Sequence, residues 1–488
     1  MKDLKQSVVR GGLAKGLAQA ANFVVRVGAL MVMARLLDPA EFGLVAMVGA
    51  VTGVFNLFRD AGLSMATIQR PEVTDEQIST LFWINALLGV LLAVASVAIA
   101  PALVAFYREP RLWWITVVLG AGFIVNGVGV QHSALLQRQM RFTSVAIIET
   151  ASLALSTATG ILMAVWGFGY WALVGMALAV PAANSAGFWL AARWVPGRPR
   201  RGVGVRSMMR FGGTITLNSL VVYAAYNIDK MLIGRVGGAD VLGIYGRAYQ
   251  LVNIPTENFN AAVGGVAFSA LSRLQDDPIR FRSYFLKGYA LVLAVTLPVT
   301  IACGVLAEDI VLVALGAKWV QVVPLLRILA PTILVFSLIN PLSWLMMSNN
   351  LAGRSLRIAL VIAPLVIVAY LVGLPYGATG VAFAFSTVMV LLAVPVAMWG
   401  IHGTVVSFRD LVDAASRPFL SGIAAMATSL AARPLIGQIH SPLLRLALAG
   451  GLLAGVYAWV LLYAMRQKAF YLDLIQRATR RSSPDGAA

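Results

Sequence analysis

The chain has 488 residues, of which 59% are hydrophobic and only 12% charged, and its mean hydropathy is +0.83. A soluble chain carries about 25% charged residues, so the composition excludes a soluble protein and reads as a polytopic, all-α membrane protein. The net charge of +18, from 38 basic and 20 acidic residues, would suggest nucleic acid in a soluble chain. Here the basic residues sit at the ends of apolar runs, as the positive-inside rule requires, and no nucleic-acid partner is expected.

Taken in chain order, about fourteen apolar segments are long enough to span a bilayer. They cover 8–36, 41–68, 77–106, 112–136, 143–166, 168–194, 207–235, 240–271, 284–306, 322–348, 355–374, 376–401, 412–433 and 442–465. The basic start (Lys2, Lys5, Arg10, Lys15) leads into a run too long for a signal-peptide core, so the first segment reads as an uncleaved span. With the loops assigned alternately, 26 basic residues fall on the side of the termini and 8 on the other. That asymmetry puts both termini in the cytoplasm.

The stretch "WVPGRPRRGVGVRSMMRFG" (194–212) is rich in Pro, Gly and Arg and reads as a linker between two bundles. Beyond it the pattern restarts. "ARLLDPAEFGLVAM" is echoed two hundred residues later, where Arg35 matches Arg235 and Gly43 matches Gly243. "GFGYWALVG" (167–175) similarly faces "LPYGATGVA" (374–382). The expected organisation is an N-terminal six-span lobe (1–195), a linker (196–206), a second six-span lobe (207–402), two added helices (403–466) and a tail (467–488). Six spans return the chain to its starting side, so the halves are parallel, with a pseudo-two-fold axis along the membrane normal and a site between them. Prolines within spans (181, 255, 298, 331, 341, 364 and 395) fit either static kinks or hinges.

The sequence offers no catalytic constellation, so no enzyme is expected. It has no P-loop lysine motif, no Ser/His/Asp set and no Gly-x-Ser-x-Gly elbow, and its three histidines, His132, His402 and His440, lie far apart. Nothing calls for a cofactor or metal, and the one cysteine, Cys303, allows no intrachain disulfide. What remains is charge inside the spans, which is costly and usually functional. The candidates are Arg26, Arg59, Asp60, Glu149, Asp229, Lys230, Arg247 and Glu257. They fall mostly on spans one, two, seven and eight, the equivalent helix pairs of two related halves. Each also has a plain reading. Arg59 and Asp60 fit interface residues that snorkel, Glu149 fits a partner of Arg138 or Arg141, and Asp229 and Lys230 diverge on a helix. Arginine's planar fork suits phosphate.

The segments "ARLLDPAEFGLVAMV", "GLSMATIQRPEVTDEQISTLFWINALLG", "ALLQRQMRF", "NIDKMLIGRVGGADVLGIYGRAYQL" and "SRLQDDPIRF" resemble polysaccharide exporters of the WzxC/TuaB/ExoT type. These are lipid-linked oligosaccharide flippases of the multidrug/oligosaccharidyl-lipid/polysaccharide (MOP) superfamily, and the similarity runs from about residue 5 to 470. The resemblance implies two six-helix lobes around a cationic cavity with alternating access. It implies an undecaprenyl-pyrophosphate-linked sugar repeat unit as cargo, the bacterial inner membrane as location, and pathway partners such as a polymerase and chain-length or export proteins. In related lipid II flippases, arginines on spans one, two and eight contact substrate; Arg26, Arg59 and Arg247 occupy similar spans here. "LFRDAGLS" departs from the family by carrying Arg59-Asp60 where a small or acidic pair is more usual. Two other readings compete. An ion-coupled multidrug antiporter on the same fold calls for a net-acidic cavity, and a membrane polymerase or glycosyltransferase calls for a large outer loop.

Overall fold

The computed structural model describes residues 2–59, 64, 67–68, 73–200, 223, 226–349, 351–469 and 471. Among these, every regular element is helical. The first six helices are α1 (Lys2–Leu36), α2 (Pro39–Phe58), α3 (Asp75–Tyr107), α4 (Leu112–Arg138), α5 (Phe142–Val165) and α6 (Tyr170–Ala192). After the linker come α7 (Ile228–Ser272), α8 (Pro278–Val305), the short α9 (Ala307–Ala314) and α10 (Val322–Ser348). The chain closes with α11 (Ala352–Gly373), α12 (Gly377–Ile401), α13 (Phe408–Ile436) and α14 (Pro442–Trp459), the last running into a π-helical turn at Val460–Ala464.

Eleven helical stretches among the described residues are long and apolar enough to cross a membrane. One of them, Gly353–Ile401, is 49 residues long, far beyond the ~20 residues a crossing needs. It holds α11 and α12 back to back, joined by the 3₁₀ turn Leu374–Tyr376. The chain is therefore a multi-pass membrane protein, as its composition requires. Within α7 two helices meet across a kink at Gly238, inside the break expected between spans seven and eight; most of the expected span seven, like linker residues 201–206, lies outside the described residues. One detail differs from the expected loops. The segment between spans nine and ten folds into α9 and a 3₁₀ turn at Ala317–Trp319.

The helix starts follow local chemistry. At α2, Pro39 takes the first turn, where no amide partner is needed, and Glu41 Oε2 accepts the Asp38 N–H at 2.8 Å. Thr74 and Gln77 form a reciprocal capping box at α3, and Ser407 and Asp410 do so at α13. The echoed turns at 167–169 and 374–377 each depend on glycine in the left-handed region, at Gly169 (φ 57°) and Gly377 (φ 68°).

The chain divides into two compact units, Met1–Gly243 and Ile244–Ala488. In the first, α3 and α4 approach closely because small residues line the seam. A Cβ at Gly89 would come within 2.6 Å of Phe123 O, and one at Gly127 within 2.6 Å of Asn85 O. His132 of α4 stacks on Trp189 at 4.1 Å between ring centroids, and its Nε2 lies 3.1 Å from Trp194 O. The start of the linker folds back onto α3. Trp83 Nε1 donates to Gly197 O at 2.8 Å, the Gly197 N–H donates to Ser79 Oγ at 3.0 Å, and Arg200 pairs with Glu76.

In the second unit, α8, α13 and α14 share an apolar core of Ala294, Leu297, Ala425, Leu453, Tyr457 and Leu461. Ion pairs tie its helix ends. Arg445 Nε meets Asp309 Oδ1 at 2.7 Å, and Arg282 grips Asp410 through two donors, one at 2.8 Å.

The 35–44 and 235–244 echo is itself a contact. A Cβ at Gly43 would overlap the carbonyl oxygen of Ala239, and a Cβ at Gly243 would overlap that of Pro39. Positions 39 and 239, and 43 and 243, are equivalent in the repeat. The two turns thus pack reciprocally, glycine of each on backbone of the other.

Candidate functional site

A cavity of about 570 Å³ opens in the first unit among α2, α4, α5 and α6. Helical spacing explains its lining. On α2, Thr52, Asn56 and Arg59 lie at i, i+4 and i+7, which places them on one face. On α4, Asn126, Val130, Ser133 and Gln137 follow the same period. Glu149 enters from α5, and Pro181, Asn184 and Ser185 from α6.

The polar groups divide by whether their bonds are already made. Thr52 donates to Val48 O at 2.9 Å, Ser185 Oγ to Val125 O at 2.7 Å, and Gln137 Nε2 to Ser133 Oγ at 3.2 Å. Trp189 Nε1 donates to Val128 O at 2.8 Å, which locks α6 to α4 just behind the cavity. By contrast, the carboxamide oxygens of Asn126 and Asn184 have no hydrogen-bond partner among the described residues. An amide left unsatisfied at membrane depth costs on the order of 1–3 kcal/mol, a cost a bound polar molecule would relieve. Among the described residues the cavity thus presents one guanidinium, one carboxylate and several carboxamides and hydroxyls. Such groups both donate and accept, which suits a polyhydroxylated molecule.

The intramembrane charges expected from sequence fall into separate places. Arg59 and Glu149 share the cavity. Asp229 and Lys230 form a second polar set in the same unit. Asp229 is fully buried, Lys230 Nζ donates to Asn227 Oδ1 at 2.7 Å, and Asn227 Nδ2 donates to Tyr223 O at 3.0 Å. The Tyr223 hydroxyl donates to Gly49 O at 3.1 Å, and Gly49 also lines the cavity. Tyr223 fits there because Gly53 has no side chain; a Cβ at 53 would overlap its hydroxyl. Arg26 lies on an exposed face of α1 and is not among the cavity residues. Arg247 belongs to the second unit, half-buried, with Gln250 accepting from its guanidinium. Asp60 and the side chain of Glu257 lie outside the described residues.

A search for charge alone misses Asn56, Asn126, Gln137 and Asn184. The signal that finds them is the recurrence of uncharged polar residues at helical spacing inside an apolar run.

The fold is that of a multi-pass helical membrane protein, with a polar-lined cavity in its first unit. The sequence profile of the polysaccharide biosynthesis protein family matches residues 32–324, and the chain belongs to this family. It is 27% identical to the lipopolysaccharide biosynthesis protein WzxC of Escherichia coli (strain K12) over 398 residues, covering 80% of each chain. It is 24% identical to the succinoglycan biosynthesis transport protein ExoT of Rhizobium meliloti (strain 1021), covering 97% of this chain and 96% of that one. Among solved structures, the lipid II flippase MurJ in an inward closed conformation superposes with a TM-score of 0.72 at 13% identity, covering 95% of this chain and all of that one. The all-helical, multi-span fold expected from the sequence is therefore the fold observed.

Proposed function

We propose that this chain is a flippase that carries undecaprenyl-pyrophosphate-linked oligosaccharide repeat units across the bacterial inner membrane for exopolysaccharide, capsule or lipopolysaccharide synthesis. It works by alternating access, as a transporter and not as a catalyst. The carrying observation is the cavity in which Arg59, Glu149, Asn56, Asn126, Gln137 and Asn184 line one chamber in a member of the polysaccharide biosynthesis family. Sugar hydroxyls match carboxamides group for group. The lipid tail stays in the bilayer. Its polyprenyl carrier would remain in hydrocarbon while the sugars enter the polar chamber, which avoids the cost of moving bare hydroxyls through lipid.

In this reading the lobes are 1–195 and 207–402, joined by the linker 196–206, with 403–466 as added helices and 467–488 as a tail. Both termini are cytoplasmic. A polymerase and chain-length or export proteins act on the product. Arg26, Asp60, Asp229, Lys230, Arg247 and Glu257 belong to the path of the charged headgroup. The competing reading, an antiporter of cationic drugs, calls for net-negative lining, whereas the described cavity balances one arginine against one glutamate.

The test is a deletion strain analysed for lipid-linked intermediates. It should accumulate repeat units on the cytoplasmic side and lose polymer; no accumulation would refute the flippase. In the complemented strain, the double variant Asn126→Ala/Asn184→Ala should lower export roughly thirty-fold at unchanged protein abundance, as expected for two lost hydrogen bonds of about 1 kcal/mol each. Arg247→Ala should block export while the protein stays in the membrane. Normal export would remove Arg247 from the path.

A further inference from the structure

A second cavity, of about 680 Å³, lies in the other unit between the starts of α8 and α13 and the residues Gln467 and Tyr471 that follow α14. Nothing in the transport reading uses it. Its charges are arranged with some economy. Arg282 is held in a two-donor clasp by Asp410, so that pair is neutral as a unit. Lys287, Arg417 and Asp413 are all on the cavity wall, which leaves one net positive charge among the described lining residues.

Depth follows from the sequence. Lys287 is the last charged residue of α8, and residues 288–305 are free of charge. Arg417 is likewise followed by an uncharged run to 432. Both cations therefore mark the level at which each helix passes from headgroups into hydrocarbon. The helices are 28 and 29 residues long, about 42 Å at 1.5 Å per residue, so roughly 12 Å extends beyond the ~30 Å hydrocarbon core. That is enough to carry the first two to three turns into the headgroup layer. Below the cations the wall is apolar, with Leu286, Ala290 and Pro418. Tyr471 closes one side, packed against the α8–α13–α14 core. Burial pushes its phenol up to about 12, with Arg417 pulling the other way, so it is a neutral hydroxyl at physiological pH.

We infer that this groove binds the phosphodiester of an anionic phospholipid, with Lys287 and Arg417 on the phosphate and the acyl chains against the apolar wall. A phosphodiester carries one negative charge, which matches the net charge of the groove. Arginine and lysine are the residues that hold phosphate, and each cation near a membrane surface contributes about 1 kcal/mol. The apolar wall directly beneath the cations selects a lipid over soluble phosphate.

The test uses purified full-length protein in detergent with mixed micelles of phosphatidylglycerol or phosphatidylcholine of the same acyl chains, and native mass spectrometry as readout. The wild type should retain phosphatidylglycerol in preference to phosphatidylcholine. The pair Lys287→Gln/Arg417→Gln should retain roughly thirty-fold less phosphatidylglycerol, with phosphatidylcholine unchanged. Lys287→Arg with Arg417→Lys keeps both charges and should keep the lipid. Equal retention by wild type and the neutral pair, or loss of lipid in the charge-preserving pair, overturns the inference. Inorganic phosphate that displaces phosphatidylglycerol as well as the diacyl lipid itself does would overturn the lipid assignment in favour of a soluble phosphate compound.

Discussion

The two echoed turns reach the same contact by different local chemistry. At 35–44 the chain leaves α1 at Leu36, breaks for Leu37 and Asp38, and restarts on Pro39 with Glu41 as its cap. At 235–244 the break is a single residue: two helices meet across a kink at Gly238, at φ 77° and ψ −173°. One turn uses an Asp-Pro start signal, and the other uses a glycine in a conformation closed to other residues. The residue that repeats is the one at the contact. Gly43 and Gly243 each lie on the other turn's backbone, whereas the residues that bend the chain differ. The lesson is that interface sterics constrain a position more tightly than turn formation does, because a bend has several chemical solutions and a backbone-on-backbone contact has one.

The largest effect is expected at the contact itself. Gly43→Ala or Gly243→Ala places a methyl group inside a carbonyl oxygen of the opposing turn. Each should cost about 3 kcal/mol, read as a lowered melting temperature in detergent. The double variant should cost clearly less than the sum, because the first methyl group already separates the backbones. Full additivity would show that the two glycines do not share one interface.

Gly238→Ala tests the turn at 235–244 on its own. Nothing lies within 4 Å of the added Cβ, so any loss comes from backbone strain alone, about 2 kcal/mol. An unchanged melting temperature would mean that the kink relaxes without effort. Glu41→Ala tests the capped turn and should cost about 1 kcal/mol, the smallest of the three. If Glu41→Ala proves more damaging than Gly238→Ala, the two turns do not divide their work between cap and glycine as described.

Much of the fold was legible because spanning a bilayer needs long apolar helices, and hydropathy reads length and polarity directly. The break between α11 and α12 shows this, since "LPYGATG" announces a turn that helix geometry alone nearly hides. The end of span seven shows the same. A turn was expected at 236–239, and two helices meet there across a kink at Gly238 (φ 77°, ψ −173°), a backbone conformation open to glycine and closed to other residues. The candidate site was half legible. Arg59 and Glu149 stood out as costly charges, but the carboxamides beside them hardly move the hydropathy of an apolar segment.

Composition and pattern therefore determined the class of protein, the spans, the repeat and which charges had to be explained. They did so because each depends on residues near one another in the chain. Which of those charges share a chamber was decided by tertiary packing. Arg59 and Glu149 are ninety residues apart and line one cavity because packing sets α2, α4, α5 and α6 around it, with the Trp189 and Ser185 hydrogen bonds tying α6 to α4. The reciprocal glycine contact has the same origin: the sequence shows that 43 and 243 match, and only the folded chain shows that they touch.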